Sequence, residues 1–240
     1  MTDFNLQLRW ADLDTLNHVN NVRYVDFAFE AMGQLVADGA LPDALTITRI
    51  GVDFLRPLVL GLLPVRISSA VGENRLVQEI CSDEEGGCTV FARVSTDFGV
   101  PVAAFAGEHT GKIYASQVRL GDLDAFGHVT PAKVFELFQE SRLLHFSGLM
   151  RRNVAGRFVV AKVTVDFHRP IGWRAEPWPI ASWISRVGNS SMAIGAQIVD
   201  GDEVYARADA VLVAFDGKTQ KSRTFSAEER IHLQESLSSA

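Results

Sequence analysis

The chain has 240 residues, of which 47% are hydrophobic and 22% charged, the composition of an ordinary globular protein. Its net charge of −6 speaks against nucleic acid as the main partner, because phosphate binding needs clustered Lys and Arg. Without a membrane-length apolar run, an N-terminal secretory pattern or a zinc-type spacing of Cys81 and Cys88, the expectation is a cytoplasmic protein with two reduced thiols, no membrane contact and no metal.

Alternation over Asn5–Trp10 predicts a short strand, and an Asp-rich loop follows. Val22–Val36 is apolar on nearly every side, which predicts a long helix buried by its surroundings. Asn20 or Asn21 is placed to cap that helix and Gly39 to stop it. Four strands are then predicted, Thr46–Arg56, Pro64–Val71, Arg75–Ser82 and Cys88–Phe98, with short turns that favour antiparallel pairing. The join, Gly99–Ala115, holds a short extra strand within Val100–Phe105. The order then returns. A strand is predicted over Gln117–Leu120, a helix over Pro131–Leu149, and strands over Phe158–His168, Trp178–Val187, Met192–Val199 and Val204–Phe215. Ser226 with Glu229 three residues on forms a capping-box pattern for a peripheral C-terminal helix.

The recurrence extends to residues. Arg9–Glu30 and Arg119–Glu140 share seven of 22 positions, including both aspartates of Asp12-Leu13-Asp14 and Asp122-Leu123-Asp124, then His18 and His128. Val52-Asp53-Phe54-Leu55-Arg56-Pro57 returns as Val165-Asp166-Phe167-His168-Arg169-Pro170, and Phe91-Ala92-Arg93 as Tyr205-Ala206-Arg207. Three matches in register, at offsets of 110, 113 and 114, indicate two copies of one domain.

The string Asp-x-Asp followed by His-Val-Asn-Asn, a buried helix and four antiparallel strands resembles the hotdog-fold thioesterases. The nearest group is the 4-hydroxybenzoyl-CoA thioesterase and acyl-CoA thioesterase branch. The resemblance covers both halves. It implies an α+β fold of two tandem hotdog domains, residues 1–108 and 109–240, each a long buried helix wrapped by an antiparallel sheet, forming an intrachain pseudo-dimer. Further homo-oligomerisation is left open.

The resemblance implies hydrolysis of a fatty or aromatic acyl-CoA without a cofactor. Its catalytic carboxylates are Asp14 and Asp124, with a backbone N–H about seven residues later as oxyanion donor. In copy one that residue is Asn21. In copy two it is Pro131, which has no N–H. The Asp14 site is therefore expected to be the better catalyst. The first Asp of each pair is expected to brace the loop, and His18 and His128 to orient it through a ring N–H. His18, Asn20, Tyr24, Arg56, His128 and Arg169 are the substrate-binding candidates, the two arginines for CoA phosphates. Copy two replaces Asn20-Asn21 with Thr130-Pro131 and Tyr24 with Val134. Copy one has Asn17 where the family pattern has Gly. Glu30 and Glu140, late in the helices, are expected to be buried and paired, or in one alternative catalytic. Trp173, Trp178 and Trp183 wall an acyl tunnel or fill core. An acyl-carrier-protein (ACP) thioesterase and a non-catalytic acyl-CoA-binding module are the competing functions.

Overall fold

A computed structural model describes residues 2–15, 17–61, 64–84, 87–105, 111–149, 158–219 and 221–238. The chain forms two compact units, Met1–Pro101 and Val102–Ala240. The domain boundary expected at residue 108 lies outside the described residues.

Unit 1 runs β1 (Thr2–Leu6), α1 (Arg23–Ala37), β2 (Ile47–Phe54), β3 (Val65–Val71), β4 (Arg75–Glu84) and β5 (Gly87–Phe98). All pairings within it are antiparallel, and the strand order is β1-β3-β4-β5-β2. Unit 2 runs β6 (Ala104–Phe105), β7 (Lys112–Ser116), α2 (Pro131–Leu149), β8 (Phe158–Phe167), β9 (Trp178–Val187), β10 (Ser191–Asp200), β11 (Glu203–Asp216), β12 (Lys221–Ser222) and α3 (Ala227–Ser238). Its main order, β7-β9-β10-β11-β8, is that of unit 1. β6 and β12 are short additions that pair with β11. This is an α+β hotdog architecture, present twice.

Two strands begin earlier than the alternation suggested. The strand expected over Asn5–Trp10 is β1 at Thr2–Leu6, and the one expected over Gln117–Leu120 is β7 at Lys112–Ser116. In both copies the residues taken for strand ends form a 3-10 turn instead, Trp10–Asp12 and Leu120–Asp122. The aspartate at each turn's end draws the chain out of the extended conformation by accepting a backbone N–H three residues back.

The core of unit 1 lies between α1 and its sheet. Tyr24, Val25, Phe27, Ala28, Ala31 and Leu35 form a buried stripe at helical spacing. Leu35 packs with Leu41 and Leu76, joined by Met32, Val36, Leu45 and Phe98. Fully burying one such leucine contributes about 2 kcal/mol. Gln78 Nε2 crosses from β4 to donate to the Ala28 carbonyl of the helix at 2.9 Å, so this buried amide is satisfied. Glu30 and Glu140 are exposed. The expectation of buried, paired carboxylates fails there, because each helix buries only one side and both glutamates fall on the other.

Candidate active site

Each copy builds the same junction of 3-10 turn, tight loop and helix start. In unit 1 the Arg9 N–H donates to Asp12 Oδ2 at 2.8 Å, and the Asp12 N–H donates to the Arg9 carbonyl at 3.0 Å. In unit 2 the Arg119 N–H donates to Asp122 Oδ2 at 2.8 Å and the Asp122 N–H to the Arg119 carbonyl at 3.0 Å. The first carboxylate of each pair is therefore a brace.

The second carboxylate closes the loop. Asp14 donates its N–H to the His18 carbonyl at 2.8 Å, and its Oδ1 accepts the His18 N–H at 3.1 Å. The Asn17 N–H donates to the Asp14 carbonyl at 3.1 Å with Asn17 at φ 58. Asn adopts this left-handed conformation more readily than most residues, so it fills the turn where Gly127 stands at φ 80 in the other copy. In unit 2 Asp124 Oδ1 accepts the N–H groups of Phe126 at 2.8 Å and His128 at 2.9 Å. The histidines serve the loop through their backbones. Among the described residues neither ring has a hydrogen-bond partner, so the expected orienting ring N–H is replaced by this main-chain ladder. The His18 ring is half-buried and the His128 ring exposed.

The loop is clamped by the second repeated stretch. The Val19 N–H donates to the Leu58 carbonyl at 2.7 Å, and the Val129 N–H to the Ile171 carbonyl at 2.7 Å. Leu58 and Ile171 each follow the Arg-Pro of that stretch. The third repeat holds its other end: the Phe91 carbonyl accepts the N–H groups of Leu55 and Arg56, and the Tyr205 carbonyl those of His168 and Arg169. Sequence reasoning singled out these arginines and missed the clamp. The signal was present in the return of both stretches, in the same order, in each copy.

The helix starts differ. In unit 1 Asn20 Oδ1 accepts the Val22 N–H at 3.1 Å, and the Asn20 carbonyl accepts the Arg23 N–H at 2.9 Å. Among the described residues no group accepts the Asn21 N–H. It is one of the donors that a helix start leaves open. In unit 2 Thr130 caps α2, its Oγ1 accepting the Lys133 N–H at 3.4 Å and its carbonyl the Val134 N–H at 3.0 Å. Pro131 is the first residue of α2 and offers no donor.

The surroundings of the second carboxylate differ as well. Asp14 is half-buried and Asp124 exposed. Tyr24 is buried against Phe54, with ring centroids 5.4 Å apart. Burial pushes its phenol well above the ordinary range, a hydrogen bond with the Leu58 backbone opposes the shift, and the nearby Asp14 charge adds to it. A neutral phenol thus stands beside Asp14. Its counterpart in copy two, Val134, has no polar group.

The two arginines also part company. Arg169 Nη2 lies 2.6 Å from Glu203 Oε1, whereas Arg56 is exposed and without an ion pair among the described residues. Trp178 is buried against Tyr205 beneath the Arg174 guanidinium, Trp183 is half-buried with its ring over Gly195, and Trp173 is half exposed. Cys81 and Cys88 are free thiols. Among the described residues no three or more His, Cys, Asp or Glu side chains are grouped to hold a metal ion, and no helix is long and apolar enough to cross a membrane.

The Thioesterase-like superfamily profile matches residues 118–235, and the acyl-ACP thioesterase C-terminal domain profile matches residues 1–62. One thioesterase profile falls on each copy, over the loop and helix start described above. The chain is a hotdog-fold thioester hydrolase. No curated protein sequence matches it significantly. Among solved structures, the 12:0-ACP thioesterase of Umbellularia californica aligns with TM-score 0.64 at 14% identity, covering 89% of this chain and 97% of that one. An acyl-ACP thioesterase of Bacteroides thetaiotaomicron aligns with TM-score 0.61 at 8% identity, covering 88% and 97%. A structure described as an oleoyl thioesterase of Lactobacillus plantarum aligns with TM-score 0.62 at 14% identity, covering 89% and 96%. At these identities the likeness is one of fold, and this thioesterase shares that fold over most of its length.

Proposed function

We propose that this thioesterase is a cytoplasmic enzyme of the 4-hydroxybenzoyl-CoA thioesterase branch that hydrolyses fatty or aromatic acyl-CoA at the unit 1 junction. Asp14 activates water as general base, or attacks the thioester carbonyl itself. The Asn21 N–H stabilises the oxyanion that develops on the carbonyl oxygen. In the base route water adds to the carbonyl carbon while Asp14 takes its proton. The tetrahedral intermediate collapses, the C–S bond breaks, and the proton goes to the departing thiolate. Tyr24 lines the approach to Asp14, and Asn20 and His18 hold the loop. Arg56, exposed and unpaired among the described residues, is the better candidate for CoA phosphates, since Arg169 is tied to Glu203. Asp124 with His128 makes a weaker second site or an inactive one. The copies are taken as domains 1–108 and 109–240.

The observation that carries this reading is the open Asn21 N–H at one helix start against Pro131 at the other. The experiment follows free thiol released from a panel of fatty and aromatic acyl-CoAs. It compares the wild type with Asp14→Asn and Asp124→Asn. Loss confined to Asp14→Asn supports the assignment. Loss confined to Asp124→Asn defeats it, and saturable binding without thiol release from any substrate makes the protein a binding module.

A second reading replaces the CoA carrier with ACP. The match of residues 1–62 to the acyl-ACP thioesterase C-terminal domain favours it, while the net negative charge gives little basic surface for an acidic carrier. The ratio of kcat/KM for one acyl group on the two carriers separates them.

A further inference from the structure

The buried face of α2 carries a polar cluster that the reaction at the loop does not use. At an offset of 110, Met32 and Leu35 of α1 correspond to Arg142 and His145 of α2. Met32 and Leu35 belong to the apolar core of unit 1. Arg142 and His145 are as deeply placed, 8% and 3% exposed, whereas Leu143 and Leu144 beside them are 56% and 48% exposed. The helix has turned a guanidinium and an imidazole inward and two leucines outward. A chain that needed only a filled core would do the reverse.

Among the described residues the cluster has no counter-charge. Among the described residues no carboxylate pairs with Arg142, and burial alone pulls its guanidinium down to about 10. Neither His145 nitrogen has a hydrogen-bond partner. The Tyr114 ring lies 6.2 Å from the His145 ring, and Lys112 is near enough to disfavour the imidazolium. Ser182, opposite Lys112 on β9, is fully buried with an unpartnered Oγ. In the sheet of unit 2, Ser182, Ala196 and Ala208 form a row of small buried side chains across β9, β10 and β11, flanked by Ala206 and Ala210. α2 packs on β7, β9 and β10, so helix and strands bring these groups together within unit 2.

A buried cation without a partner is among the costliest arrangements a core can hold. Donors gathered around it, with no carboxylate to meet them among the described residues, leave an anionic acceptor to come from outside. A guanidinium fork fits a planar carboxylate with two parallel bonds, and an imidazole and a phenol add further donors. We propose that Arg142 and His145, with Tyr114, form a buried carboxylate-binding site in unit 2. The carboxylate is either that of a free acid or the far end of an acyl group carrying a terminal carboxyl. The site stands independently of the role assigned to Asp14.

The test uses the full-length protein and the variants Arg142→Met and His145→Leu, which install the residues of copy one and keep the volume of the core. Thermal unfolding is followed with sodium hexanoate and with sodium chloride at the same ionic strength. In parallel, KM is compared for hexanoyl-CoA and adipoyl-CoA. Binding of the free acid raises the wild-type Tm by about 5 °C at saturating hexanoate, with no rise in chloride. Recognition of an acyl terminus lowers KM for adipoyl-CoA about tenfold relative to hexanoyl-CoA. Either effect, lost in both variants, establishes the site and names its source. The absence of both effects in the wild type overturns the proposal, as does either effect surviving in both variants. Because the unfolding arm reads no turnover, it decides the matter even if Asp14 proves not to be the catalytic carboxylate.

Discussion

The two loop–helix junctions share a backbone and differ in what they leave open. Both hold the second aspartate by a His N–H, both clamp the following Val on the carbonyl after an Arg-Pro, and both brace the first aspartate on an Arg N–H. Unit 1 begins its helix at Arg23, two residues after an Asn21 N–H that nothing among the described residues accepts. Unit 2 begins at Pro131, with the threonine ahead of it spent on a cap. The second junction is the better helix start and the poorer donor site. A cap and a proline stabilise the element by removing the open N–H that oxyanion chemistry requires. On the proposed mechanism, the copy with the better-capped helix start lacks the oxyanion donor.

The largest effect expected from this contrast is at the carboxylates. Asp14→Asn lowers kcat by about 10²–10⁴, the range of a lost general base, whereas Asp124→Asn changes it less than about twofold. Steady-state thiol release measures both, and equal partial losses would restore the symmetry of the two sites. Next comes the donor. Asn21→Pro copies unit 2 into unit 1 and lowers kcat by about 10²–10³ with little change in KM, as losing one oxyanion donor does. Unfolding temperature within about 3 °C of the wild type shows that the loop survived. A variant that folds and keeps full activity would remove Asn21 from the mechanism.

The buried faces of α1 and α2 give the third test. Burial, and then the Lys112 charge, push the His145 imidazole down to about 4 from its ordinary 6.5. The unfolded chain takes the proton more readily than the folded one. The contribution of the neutral ring to stability is therefore complete above pH 6.5 and lost as pH falls toward 4. Its full size is about 3 kcal/mol, because each tenfold loss of proton affinity on folding is worth about 1.4 kcal/mol. His145→Leu, which restores the α1 residue, should flatten this acid limb. Urea unfolding at about pH 7 and about pH 4.5 in carboxylate-free buffer measures it. An equally steep limb in the variant would place the titration elsewhere.

The sequence carried the architecture because the architecture is stated twice. α2 falls at Pro131–Leu149 and β9 at Trp178–Val187, as the pattern predicts, and the repeats mark the stretches that meet at the loop, although not the clamp or the shared carbonyls of Phe91 and Tyr205 that join them. The Asn21 and Pro131 contrast was likewise readable, since whether a residue has an N–H is written in its identity. Facing was harder to read. An apolar count over α2 does not say which residues face inward: Leu143 and Leu144 are exposed, and Arg142 and His145 are buried. Periodicity identifies a stripe only when the stripe is apolar, and here polar residues occupy it. The 3-10 turns were missed for a local reason. An Asp that bonds a backbone N–H three residues back competes with the extended chain, and alternation does not register that bond.

The smallest expected effect concerns an element that unit 2 has and unit 1 lacks. α3 begins with Ser226 Oγ accepting the Glu229 N–H at 3.1 Å and Glu229 Oε2 accepting the Ser226 N–H at 2.8 Å, the capping box expected from the sequence. Arg223 grips the same carboxylate through both terminal nitrogens at 2.7 Å, and Leu233 is buried. The helix packs on β9 rather than lying loose at the periphery. Ser226→Ala removes one reciprocal bond, costs about 1 kcal/mol and lowers Tm by about 3 °C. Because α3 packs on β9 within unit 2 and carries none of the proposed catalytic residues, turnover at about 25 °C should be unchanged. Differential scanning calorimetry with a thiol-release assay on the same sample measures both. A fall in kcat at unchanged Tm would tie α3 to the chemistry, and the asymmetry between the units could then no longer be reduced to Asn21 and Pro131.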